Sequence, residues 1–134
     1  MSSKDSSIPK NLYYTKKHEW VSVQMDGIVR IGITDYAQES LHEIVFVELP
    51  KTGDKAKRME LLGTIEAVKT VSEVNSPISG EVVKVNTALE KSPELVNKEP
   101  YGKGWIADIR PSDLKAELNS LLSPKEYADI LQMT

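Results

Sequence analysis

Residues 59–74 read MELLGTIEAVKTVSEV, and the state of this stretch decides the fold. Leu61, Ile65 and Val68 fall at i, i+4 and i+7, the spacing of an amphipathic helix. Composition argues the other way. Gly63, Thr64, Ile65, Val68, Thr70, Val71 and Val74 are poor helix formers, and most are β-branched, which suits a pleated strand. The stretch is therefore expected to form two strands that reverse near Lys69, although no Asn-Gly or Asp-Gly pair marks a turn there. At such a tip the small or β-branched residues Ala67, Val68, Thr70 and Val71 would leave the Lys69 amine sterically open to acylation. A lysine that only keeps a turn soluble has the same appearance, so position alone does not assign chemistry.

Working outward, residues 18–24 alternate as a strand and meet the turn signal Asp26-Gly27, and residues 28–33 return as its partner. Thr34 or Asp35 can cap a helix through Leu41, and Asp35 with Gln38 fits a capping box. Residues 44–49 are a continuous apolar run ended by Pro50, expected as a central, buried strand. After a turn cluster at 75–80, residues 81–86 and 105–110 read as further strands, with a short irregular or helical piece at 93–97 between them. Two helices are expected over 112–132. Ser112 caps a stretch with Leu114, Leu118, Leu121 and Leu122 on one face, and Ser123-Pro124-Lys125-Glu126 is a capping box with proline at the first helical position. The expected architecture is mainly β, a small barrel or sandwich with helical appendages.

The 134 residues suit a single domain, with 1–11 expected as a flexible N-terminal tail and 12–134 as the folded unit. The net charge of −3 argues against nonspecific nucleic-acid binding, and no apolar run approaches membrane-spanning length. Cysteine is absent and histidine is limited to His18 and His42, which excludes disulfides, thiolate chemistry and a His-rich metal cage. Both histidines are expected as surface or capping residues. No G-x-S-x-G, Walker loop or G-x-G-x-x-G occurs, so no enzyme motif emerges.

Gly53-Asp54, Glu66-Ala67-Val68-Lys69 and the run Ser76 to Val82 together resemble the biotinyl/lipoyl domain superfamily, with Gly53 sixteen positions before Lys69 and Gly80 eleven after it. More narrowly, the chain resembles the family of glycine cleavage H-proteins. The resemblance spans Tyr13 to Leu131 through the strings 18–21, 31–37, 45–50, the Lys69 hairpin, 75–80 and 97–105, in the family's order. It implies a flattened antiparallel β-barrel or sandwich of the barrel-sandwich hybrid type, with a short internal helix and two C-terminal helices. It also implies lipoic acid amide-linked to Lys69, which supplies the sulfur chemistry that the chain itself lacks.

In that family the carrier is a substrate rather than an enzyme. A pyridoxal-phosphate glycine decarboxylase loads the aminomethyl group of glycine onto the arm, a tetrahydrofolate-dependent aminomethyltransferase unloads it, and dihydrolipoamide dehydrogenase reoxidises the arm. A lipoate ligase or octanoyl/lipoyl transferase would attach the cofactor. Glu19 and Glu73 match acidic residues of a cleft that shelters the loaded arm, Glu73 standing where the residue is often Asp. Lys17 stands where many members have Ser, and Ala67 replaces a frequent Ser. Glu66, Ala67, Val68 and Thr70 support the hairpin. The implied location is a bacterial-type cytoplasm rather than a mitochondrial matrix. A lipoyl-relay protein that hands its cofactor to other acceptors, or a binding module with unmodified Lys69, would carry the same sequence pattern. A lipoyl domain of a 2-oxoacid dehydrogenase would show Asp-Lys-Ala at the tip, and a biotin carrier Met-Lys-Met, where this chain has Val68-Lys69-Thr70.

Overall fold

The computed structural model describes residues 8–133. Two antiparallel sheets form a mainly β sandwich. The first is six-stranded, in the order β1 (Tyr13–Tyr14), β2 (Glu19–Val23), β3 (Val29–Ile33), β9 (Ala107–Pro111), β8 (Gly80–Val85) and β5 (Lys55–Ala56). The second has β4 (Ile44–Glu48), β6 (Leu61–Ala67) and β7 (Val71–Asn75), with β6 in the middle. Helix α1 (Asp35–Leu41) connects β3 to β4, and α2 (Ala88–Lys91) and α3 (Leu95–Lys98) lie between β8 and β9. Helices α4 (Leu114–Leu118) and α5 (Pro124–Gln132) follow the last strand. The alternate residues Val21, Val29, Ile31, Ile65, Val74, Val82 and Ile109 point inward and build the main core.

A second cluster seats the C-terminal helix. Leu12, Tyr14, Trp20, Tyr127 and Leu131 are buried together, and the Tyr14 and Tyr127 rings stack with centroids 4.7 Å apart. Tyr127 Oη lies 2.8 Å from His18 Nδ1 and 2.7 Å from Thr34 Oγ1, so α5 is pinned to the open end of the β2–β3 hairpin. Half-buried and with φ 71°, His18 is therefore a packed partner of Tyr127 rather than a surface or capping residue. His42 does cap α1, donating its backbone N–H to Gln38. Of the tail expected over 1–11, residues 1–7 lie outside the described residues, while Pro9 accepts a 2.6 Å hydrogen bond from Tyr14 Oη.

The structure corrects further expectations. β4 is an edge strand, not a central one. A register shift between Ile44 and Phe46 turns Val45 and Phe46 outward together, each 48 % exposed, where strict alternation would bury one. Thr34, not Asp35, caps the N-terminus of α1, and Asp35 Oδ1 accepts from the Gln38 side chain instead of closing a capping box. Asp113, not Ser112, caps α4, which stops at Leu118. Leu121 and Leu122 leave the helical stripe because Leu122 and Tyr14 exchange backbone hydrogen bonds of 2.7 and 2.9 Å, a tertiary pairing that outcompetes the local pattern. Finally, β9 starts at Ala107 rather than Trp105, since the Asn86 amide donates to the carbonyls of Lys103 and Trp105 and holds that segment out of the ladder.

Candidate functional site

The reversal at Lys69 is a hairpin. β6 and β7 pair from Leu61↔Asn75 to Glu66↔Val71, and Ala67 N–H donates to Thr70 O at 2.8 Å to close the ladder. Val68 N–H reaches across to Glu43 O at 3.0 Å, tying the tip to the start of β4. Neither Val68, Lys69 nor Thr70 has a positive φ, so this turn needs no glycine or asparagine. Ala67 is buried and anchors the tip, while Glu66, Val68 and Thr70 are exposed around it. Lys69 is exposed too, and among the described residues no carboxylate lies within ion-pair distance of its amine.

Beside it lies a groove of about 340 Å³ lined by Leu41, His42, Glu43, Val68 and Lys69. Its wall is the corner from α1 into β4, where His42 adopts φ 63°. Asn97 of α3 clamps that corner. Its Oδ1 accepts from Ile44 N at 3.0 Å, and its Nδ2 donates to His42 O at 2.7 Å and to Gln38 Oε1 at 3.0 Å. The positioning roles of Glu43 and Asn97 had no local signal in the sequence, because each acts on residues distant along the chain.

Glu19 is 1 % exposed, and both carboxylate oxygens are engaged internally. Oε1 accepts from Thr15 Oγ1 at 2.5 Å and Oε2 from Asn75 N at 3.1 Å, which joins β2 to the base of the Lys69 hairpin. Lys17 belongs to the same turn, its backbone N–H donating to Thr15 Oγ1 at 3.3 Å, and its exposed side chain lines a separate recess with Lys16, Arg58 and Met59. Glu73 is exposed on β7, opposite Thr64. The fold thus brings Glu19 and Lys17 to one turn, and none of the three lines the groove at Lys69.

Burial raises the Glu19 carboxyl above the ordinary range, a push that the hydrogen bonds from Thr15 and Asn75 oppose. A group whose folded pKa is raised binds more protons in the native state, so its favourable contribution is present at low pH. That contribution is lost as pH rises through the folded value. Glu19→Gln is therefore expected to flatten the fall in stability from the ordinary carboxylate range upward. Urea melts at successive pH values check this, and an unchanged slope would remove Glu19 as the source.

Two sheets that present an exposed, unpaired lysine at a hairpin tip, beside a partly apolar groove, are the arrangement a carrier domain of the lipoyl type would need. The family model for the glycine cleavage H-protein matches residues 12–134. The chain is 53 % identical over 126 residues to the glycine cleavage system H protein of Oceanobacillus iheyensis, covering 94 % of this chain and 98 % of the relative. It is 50 % identical over 125 residues to the probable glycine cleavage system H protein of Pyrococcus abyssi, covering 93 % and 92 %. The crystal structure of a glycine cleavage system H protein from Mycobacterium marinum matches with a TM-score of 0.86 and 38 % identity, over 93 % of this chain and 99 % of that one. The chain belongs to the glycine cleavage H-protein family, the lipoyl carriers of the glycine cleavage system.

Proposed function

We propose that Lys69 carries lipoate as an amide on Nζ and that the chain serves the glycine cleavage enzymes as a shared substrate, without catalysis of its own. The supporting observation is the Lys69 amine itself, exposed at the hairpin tip and clear of any described carboxylate. Leu41 and Val68 in the adjacent groove suit an acyl chain, and Glu43 and His42 suit its polar end. When bound, the lipoyl group would supply a disulfide that can be reduced as it accepts an aminomethyl group, and a dithiol to be reoxidised once the carbon has passed to a folate and the nitrogen has left as ammonia. The chain's own contribution is placement. The rigid β6–β7 ribbon and the Asn97 clamp fix the base of the arm, so a docked enzyme meets it at high effective concentration.

The partners are then the PLP-dependent glycine decarboxylase, the tetrahydrofolate-dependent aminomethyltransferase, dihydrolipoamide dehydrogenase, and the ligase or transferase that attaches lipoate. Residues 12–134 act as one domain, and the setting is a bacterial-type cytoplasm. Among the described residues no helix is long and apolar enough to cross a membrane. Intact mass of the chain from its native host tests the assignment. One lipoyl increment on the peptide containing Lys69 is the expected result, and its absence would overturn it.

The family positions of Glu19, Glu73 and Lys17, all outside the groove at Lys69, support a separate role for them in protecting the loaded arm from water. Glu19→Gln keeps the shape and most of the hydrogen bonding while removing the charge. It should leave lipoylation intact and hasten ammonia release from the loaded carrier, and equal release rates would withdraw Glu19 from that role.

A further inference from the structure

The outward face of the three-stranded sheet displays exposed apolar side chains interspersed with carboxylates. Among the described residues, Val45, Phe46, Leu61, Val68 and Val71 on this sheet and its hairpin are 48–63 % exposed. Directly opposed residues of neighbouring strands share a face. The register sets Phe46, Glu66 and Val71 side by side in one row, and Glu48, Thr64 and Glu73 in the next. The inward set Ile44, Val47, Ile65 and Val74 is buried, so the exposed row is surplus to the core. Thr64 Oγ1 donates to Glu48 Oε1 at 3.1 Å, yet none of Glu48, Glu66 and Glu73 forms an ion pair among the described residues.

The other sheet treats its charges differently. There Glu81 lies 3.7 Å from Lys55 and 3.6 Å from Arg110, and Asp108 lies 2.9 Å from Arg30, so anions and cations are matched within the chain. β4, β6 and β7 contain no lysine or arginine, and the hairpin's one cation is Lys69, whose charge acylation removes. An apolar patch with unmatched charge of one sign is complementary to a cationic, apolar-centred protein surface.

We infer that this face is where the enzyme that loads the arm docks, presenting lysine or arginine side chains around an apolar contact. The inference deepens the lipoyl-carrier reading and rests on it. The test uses the lipoylated chain as substrate of the PLP-dependent glycine decarboxylase. Phe46→Ala combined with Glu48→Gln should raise KM for the carrier about ten-fold with kcat at saturation unchanged, since both side chains are exposed and outside the core. Added salt should raise the wild-type KM more steeply than that of Glu48→Gln. Val23→Ala, exposed on the six-stranded sheet, should leave KM unchanged. Equal KM for wild type and the double variant, or an equal rise for Val23→Ala, would overturn the docking face while leaving the carrier reading intact. A chain found unlipoylated at Lys69, or a lipoylated wild type that the decarboxylase does not turn over, would sink both.

Discussion

Lys69→Arg is expected to fold as the wild type does and to lose carrier activity completely. The residue is exposed at a turn that needs no special backbone, so exchanging one cation for another should change stability by no more than about 0.5 kcal/mol. Function responds differently, because the guanidinium stays protonated and is not a comparable nucleophile toward an acyl donor. Without the lipoyl arm the chain has no cysteine to supply sulfur chemistry in its place. Intact mass and glycine-dependent turnover with the partner enzymes read the two halves of the result. Wild-type turnover by the arginine variant would show that the arm is attached elsewhere or is not needed.

Trp20→Ala should produce the largest loss of stability, about 3–5 kcal/mol, because it empties the centre of the second cluster. Trp20 is 1 % exposed, its indole N–H donates to Pro100 O at 3.0 Å, and its ring lies across Gly32 on the paired strand. A Cβ at residue 32 would stand 2.6 Å from the indole, so Gly32→Ala attacks the same seat by crowding it. Thermal melts of both variants check the reading. For a domain of this size a loss of that order lowers the midpoint by about 10 °C or more. A midpoint within a degree or two of wild type would mean that the ring is not what holds this end together.

The hairpin was legible because its residues are individually poor helix formers, and that weighed more than an accidental helical spacing of Leu61, Ile65 and Val68. The exposed Lys69 followed from it. The edge position of β4 was not legible, since a continuous apolar run looks the same whether both faces are covered or a bulge turns two side chains outward. The burial of the Glu19 carboxylate was not legible, because its bond to Asn75 N–H spans 56 positions and no local pattern encodes it. The same holds for Asn97, whose amide fixes a corner more than 50 positions earlier.

The solitary positive charge on the β6–β7 ribbon has one more effect. With its nitrogen taken into the proposed amide, the ribbon and the strand beside it would switch from mixed to wholly negative polarity. An unfinished molecule and a finished one then look different to any enzyme approaching by diffusion, before either touches the other. Maturation could thus be read electrically, with no change of shape.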